Sequence, residues 1–145
     1  MDAGASEPSE ILGHAAAVDV AVRRVESVDV EAAVIADVER RLDARREAIG
    51  LALGRRLTGR EGVNFLRYRQ GGFYLPHVDR AVDDEWPDAA RRQVAVVVFL
   101  NDDFAGGVLY LIDGRRVVVP KTGQLVAFDA GLLHEVEPVT AGTRD

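Results

Sequence analysis

Residues 94–119 read VAVVVFLNDDFAGGVLYLIDGRRVVV, and their texture sets the architecture. Val94 to Leu100 is apolar and rich in β-branched side chains, the composition of a buried strand. Asn101-Asp102-Asp103 breaks it and Gly106-Gly107 opens a second strand from Val108 to Ile112. Asp113-Gly114 makes a tight turn, and Arg115 to Val119 returns. The rhythm continues: Thr122-Gly123 turns into Gln124 to Phe128, and Leu133 to Val139 follows. On the other side, Phe65 to Arg69 reads as a strand ending at Gly71-Gly72. Many short strands with closely spaced turn signals predict a mainly β chain, a sandwich or barrel of the jelly-roll kind with a helix packed on one side.

The first 63 residues have a different character. Residues 1–14 are small and polar, an expected flexible arm that includes His14, to which no role is given. Residues 15–63 form a helical lead-in. In it Val18, Val20 and Val22 alternate with Asp19, Ala21 and Arg23 as a short strand would. Val34, Ile35, Val38, Leu42, Ile49 and Leu53 then recur at helical spacing, with Asp29 as the expected cap and Asp37–Arg41 as an i,i+4 pair on the wet face. Gly50 and Gly54 weaken the end of this helix. Residues 64–145 form the β domain.

Composition narrows the chemistry. A chain of 145 residues has room for one domain, and 48% hydrophobic residues give it a core. The absence of cysteine excludes disulfides, zinc ribbons, iron–sulfur ligation and thiol catalysis. A net charge of −6 argues against a nucleic-acid partner. Lys121 is the one lysine among 18 basic residues, which reads as coding bias. Val94 to Leu100 is too short to span a bilayer, so no membrane partner is expected. The N-terminus lacks a basic segment followed by an apolar one, which predicts a cytoplasmic location.

Two of the three histidines, His77 and His134, fall in the β domain, and Asp79 lies two residues after His77. On a strand, positions i and i+2 share a face, so His77 and Asp79 can share one metal. His134, from a later strand, can complete two nitrogens and one carboxylate. That donor set suits ferrous iron and leaves the opposite positions open. A bare His-x-Asp is a weak signal and is usually a surface turn. Gly71-Gly72 and Gly106-Gly107 read as turn devices. Asp83-Asp84-Glu85 and Asp102-Asp103 read as solvated loop charge.

The surroundings strengthen the signal. Tyr68-x-x-Gly71-x-x-Tyr74-x-x-His77-x-Asp79 is followed by Val94 to Asn101, Gly106-Gly107 and Gly123-x-Leu125-Val126-x-Phe128. Last comes His134-Glu135-Val136-x-Pro138-Val139-Thr140-x-Gly142-x-Arg144. This order resembles the Fe(II)- and 2-oxoglutarate-dependent dioxygenases, in particular their prolyl 4-hydroxylase-like branch, over residues 64–145. The resemblance implies a double-stranded β-helix (jelly-roll, cupin-like) core. It makes His77, Asp79 and His134 the iron ligands. Arg144 would be the ion-pair partner of the distal carboxylate of 2-oxoglutarate, and Tyr68 a hydrogen-bond donor to the same carboxylate. Tyr74 would lie near the metal on the substrate side, and Val96, Val98 and Leu109 would form apolar walls. Pro138 would fix the backbone after the last ligand. The implied reaction consumes O2 and 2-oxoglutarate, hydroxylates a C–H bond of a prolyl or other amino-acid residue in a protein or peptide, and releases succinate and CO2. Ascorbate would rescue oxidised iron.

The family's domain continues past the arginine by about one strand, whereas this chain ends at Asp145. The expectation is therefore a C-terminally truncated jelly roll lacking its last strand. Three alternatives stand beside the main reading: an oxygenase of free amino acids or metabolites, a catalytically inactive jelly-roll ligand-binding fragment, and a cupin-like protein using another metal. Substrate choice would lie in loops such as Arg80 to Arg92, where Trp86-Pro87 could form a lid or cover a barrel edge.

Overall fold

The computed structural model describes residues 6–8, 22–82 and 85–145. In chain order the elements are β1 (Ser6–Pro8), β2 (Arg23–Arg24), β3 (Glu26–Val28), α1 (Ala32–Asp43), α2 (Arg46–Leu53), β4 (Leu66–Arg67), β5 (Phe73–His77), α3 (Pro87–Ala90), β6 (Val94–Val98), β7 (Ala105–Gly106), β8 (Leu109–Leu111), β9 (Arg116–Val118), β10 (Leu125–Asp129), β11 (His134–Val136) and β12 (Val139–Ala141). Every strand pairing among them is antiparallel.

One sheet has the order β2-β5-β11-β8-β9; three smaller groups are β1-β3-β4, β10-β6 and β12-β7. The last two residues stitch β4 to β6. Tyr68 and Arg144 exchange backbone hydrogen bonds of 2.8 and 2.9 Å, and the Leu100 amide donates to the Asp145 carbonyl at 3.0 Å. Between the layers lies one hydrophobic core: Val25, Tyr68, Phe99, Leu109, Leu111, Phe128, Val136 and Val139. Phe99, Leu109 and Val139 are its most completely buried members. The mainly β reading holds, and the sheets prove antiparallel.

Several local expectations are corrected. The helical pattern divides at Ala44–Arg45 into α1 and α2, and α1 starts after Glu31 with no side-chain cap, so Asp29 does not cap it. No residue of α1 is buried, so its apolar stripe is only partly covered. Gly54 ends α2 in the left-handed conformation at φ 63°, where glycine costs least. Residues 18–21 of the expected first strand, and His14, lie outside the described residues, and Val22 sits in a turn. Within the expected flexible arm, Ser6–Pro8 pairs with β3, which lies between it and β4.

The expected strand from Leu133 to Val139 is two. Pro138 has no amide to donate, and on either side of it β11 pairs with β5 and β8 while β12 pairs with β7. The turn before β9 takes its positive φ at Arg115, 48°, and not at Gly114.

Val96 and Val98 are also reassigned. Ala95 and Val97 pack on the core, so the even-numbered residues of β6 face the other way, and Val96 is 40% exposed. Their cross-strand partners Ala127 and Leu125 line a groove of about 350 Å³ against Ile49, Ala52 and Leu53 of α2. These valines wall the helix-covered side of the sheet, not the site. Leu109, expected as a wall of the site, is 1% exposed and belongs to the hydrophobic core.

Candidate metal centre

His77 ends β5 and His134 begins β11, and the two are directly paired across the ladder. Two residues further along, Val136 pairs with Tyr74, so β5 holds one residue more than β11 over this stretch. The extra residue is a β-bulge at Leu75–Pro76. Proline is tolerated there because a bulge leaves a ladder amide unneeded. The bulge changes the alternation, so that Tyr74 and His77, three apart and expected on opposite faces, meet with ring centroids 3.5 Å apart and planes 14° from parallel.

Asp79 is not on the strand. It occupies a bend just beyond β5, where its amide and that of Arg80 both donate to the Ala130 carbonyl at 2.9 Å. The Arg92 guanidinium donates to the Asp79 carbonyl at 3.0 Å and is itself forked onto Glu61 at 2.5 and 2.7 Å. His77 and Asp79 do come together, but Asp79 is off the strand: loop anchoring, not strand alternation, turns its carboxylate toward His77.

The three side chains meet. One donor atom from each of His77, Asp79 and His134 lies within 4.8 Å of the others. His77 Nε2 is 3.6 Å from Asp79 Oδ1, and His134 Nε2 is 3.6 Å from Asp79 Oδ2. That is too long for a hydrogen bond and short enough for a single ion to touch all three. Both imidazoles are held in the orientation metal ligation needs. His77 Nδ1 faces the Leu75 carbonyl at 2.8 Å, and His134 Nδ1 faces the Leu132 carbonyl at 2.9 Å. Nδ1 must therefore carry the proton, and each Nε2 presents a lone pair toward the carboxylate. Burial first, and the neighbouring His134 second, push the His77 imidazole down to about 4, so the ring is neutral at physiological pH. Two imidazoles and one carboxylate suit a divalent first-row metal such as Fe(II).

Arg144 and Tyr68 share the interior with this trio. Arg144 is 5% exposed and donates to the Gly107 carbonyl at 3.0 Å; its guanidinium carbon lies 4.9 Å from the Tyr68 ring centroid and 5.0 Å from that of Phe99. Burial lowers the Arg144 pKa. Burial also pushes the Tyr68 phenol up to about 12, against the opposing charge of Arg144. Tyr68 therefore keeps its proton as a donor. Its ionisation also feels Tyr74, Arg23 and Asp79, which places the phenol in the electrostatic surroundings of the metal trio.

Three contributors escaped the sequence reading. Gly107, taken as a turn device, has φ 58° and supplies Arg144's acceptor; a Cβ there would lie 2.8 Å from Val139 Cγ2. Phe99, read only as part of a strand, stacks under Arg144. Arg23, placed by alternation with the polar residues, is only 6% exposed and lies 5.3 Å from the Tyr74 ring centroid. A lone arginine on the polar side of a valine alternation carries no mark of such burial. Trp86, by contrast, stands at the N-terminal boundary of α3, with Pro87 in the first turn.

A sequence model described as the 2OG-Fe(II) oxygenase superfamily matches residues 63–144. A PKHD-type hydroxylase of Hyphomonas neptunium is 42% identical over 86 residues, 55% of this chain and 38% of its own length. A PKHD-type hydroxylase of Acaryochloris marina is 38% identical over 84 residues, 55% of this chain and 36% of its own. The chain thus spans less than two-fifths of the length of these curated relatives. Among solved structures, a Pseudomonas putida prolyl-4-hydroxylase superposes with TM-score 0.62 at 33% identity, covering 85% of this chain and 68% of that one. The viral collagen prolyl hydroxylase of Paramecium Bursaria Chlorella virus-1 superposes with TM-score 0.64 at 20% identity, covering 85% of this chain and 75% of that one, a likeness of fold.

Proposed function

Because the chain belongs to the 2OG-Fe(II) oxygenase superfamily, we propose that it forms the metal-binding domain of an Fe(II)- and 2-oxoglutarate-dependent hydroxylase acting on a prolyl or other amino-acid residue of a protein or peptide. The relatives named PKHD-type hydroxylase and prolyl-4-hydroxylase favour this substrate class over a free metabolite. His77, Asp79 and His134 would hold the iron. Bound there, iron supplies the oxidative chemistry of the family: O2 and 2-oxoglutarate become succinate and CO2 as a C–H bond is hydroxylated, with ascorbate keeping the metal reduced.

The protein's own part is to bind, orient and exclude water. The Arg144 fork would pair with the distal carboxylate of 2-oxoglutarate and the Tyr68 hydroxyl would donate to it. Both lie in an apolar interior where a charge-assisted hydrogen bond is strong. Phe128, edge-on to His134 at 4.8 Å, and Leu109 help keep that interior dry.

One observation carries the reading: the two imidazole Nε2 atoms approach opposite oxygens of Asp79 at equal distance, each ring tied behind by its own backbone carbonyl. The test is succinate formation from 2-oxoglutarate with Fe(II) and proline-containing peptides, in air and anaerobically. Oxygen-dependent succinate that vanishes in Asp79→Ala is expected; succinate unchanged by that substitution would rule out these ligands.

A further inference from the structure

The two histidines of the trio are held differently. His134 is 4% exposed and packed against Phe128, so its surroundings alone fix the ring. His77 stands at the open side, its side chain 15% exposed, between Leu75 at 45% and Val78 at 37%. Its Nδ1 bond to the Leu75 carbonyl decides which nitrogen points inward, but one hydrogen bond does not stop a ring from tilting. The tilt is restrained by Tyr74, laid flat against the imidazole at 3.5 Å by the Leu75–Pro76 bulge. Tyr74 in turn is held from β2. Arg23 is its direct cross-strand partner, and the guanidinium carbon lies 5.3 Å from the ring centroid. Cation, phenol ring and imidazole thus form one row running from the buried Arg23 of β2 to the metal trio.

We propose that Arg23 is a positioning residue for the metal centre: by holding Tyr74 flat against His77 it sets the plane of that imidazole, and so the direction in which Nε2 can meet a divalent cation. The proposal rests on the reading of His77, Asp79 and His134 as metal ligands. Partners behind a ligating histidine commonly change metal affinity by about 10- to 100-fold. The row should act as a unit, because Arg23 reaches the metal only through Tyr74.

The experiment uses the full 145-residue chain and Co(II) as probe, under anaerobic conditions, reading the dissociation constant and the visible Co(II) bands. Tyr74→Phe, which keeps the ring against His77, should bind Co(II) more tightly than Tyr74→Leu. Tyr74→Leu should bind about tenfold more weakly with altered bands, and Arg23→Met should move the same way. The double variant should be no weaker than Tyr74→Leu alone. Arg23→Lys, which keeps a cation over the ring, should restore much of the loss. In the metal-free protein the His77 ring protons should be shifted upfield by Tyr74, and that shift should be lost in Tyr74→Leu.

Unchanged Co(II) affinity and bands in Tyr74→Leu would overturn the proposal. So would multiplying losses in the double variant, since Arg23 would then act by another route. If circular dichroism shows Arg23→Met unfolded, Arg23→Gln carries the arginine side of the cycle. Asp79→Ala separates the two levels. If it binds Co(II) as well as the unsubstituted chain, the ligand reading falls and this proposal with it. If it alone loses the metal while the row variants do not, only the proposal falls.

Discussion

Acidifying the metal-free protein should expose the cost of keeping His77 neutral. Burial, and then His134, push that imidazole from 6.5 to about 4, a difference worth about 3 kcal/mol between the protonation states. The folded-state value is depressed, so this contribution is fully present above pH 6.5. It is lost as pH falls toward 4, because the unfolded chain takes up a proton that the folded one refuses. Between pH 7 and pH 4.5 the loss attributable to this one ring comes to about 2 kcal/mol. The side chain is only 15% exposed, so solvent screening removes little of it. The assay is urea denaturation with chelator present at both pH values, for the unsubstituted chain and His77→Asn. Carboxylates held low in the fold, such as Asp129, titrate in both proteins and cancel. The unsubstituted chain should lose about 2 kcal/mol more than the variant over this interval. Equal losses would mean that His77 is not held neutral by the fold.

The proposed 2-oxoglutarate contacts of Arg144 and Tyr68 yield three further outcomes. Arg144→Lys keeps the charge but loses the fork, and should weaken anaerobic 2-oxoglutarate binding to the Mn(II)-loaded protein by at least about tenfold, with Mn(II) affinity unchanged. Tyr68→Phe removes one donor from a buried position and should weaken the same binding by about five- to tenfold, read in the same titration. Gly107→Ala places a side chain at φ 58°, 2.8 Å from Val139 Cγ2 and 3.5 Å from Arg144 Cδ. It should cost at least about 1–2 kcal/mol of stability and also weaken 2-oxoglutarate, because the carbonyl that anchors Arg144 moves; calorimetry and the same titration read the two effects.

The sequence showed the pattern of short strands and turns, and with it the mainly β class, because period-two alternation and Gly-Gly or Asp-Gly turns are local signals. It also showed which three side chains would gather, since His77-x-Asp79 and a later His134 are close in kind and spacing to a recognisable donor set. What it concealed depends on parity and on distant partners. Val94 to Val98 is apolar on both faces, so nothing local says that Ala95 and Val97, rather than Val96 and Val98, look inward. The bulge at Leu75–Pro76 reverses alternation just where Tyr74 and His77 are counted; Pro76 inside a strand was the available hint. Arg23 lies more than fifty residues before His77, and only the β2–β5 pairing, Arg23 to Tyr74, connects them. Asp29 looked like a cap because it is a favoured capping residue. The chain instead enters the helix at Glu31.

The acid of the trio is anchored at the base of a loop and not by the loop's tip. The histidines belong to the ladder, but Asp79 opens the segment that runs to Arg92, and the two ends of that segment are tied to each other. Arg92 donates to the Asp79 carbonyl and Arg80 donates to the Arg92 carbonyl at 2.7 Å. The Ala81 amide reaches the Ala89 carbonyl at 3.2 Å. Arg80 also pairs with Asp129 at 3.2 Å, next to Ala130, whose buried carbonyl receives both the Asp79 and Arg80 amides. The carboxylate is therefore positioned by contacts at the base of the loop, and none of those contacts uses the tip, where Val82 is 94% exposed. A loop closed at its base can change length or composition at its tip at little cost to the base, since closure entropy grows only slowly with added residues. An inward-facing acid held in this way can stay in register with His77 and His134 whatever the loop carries beyond its base.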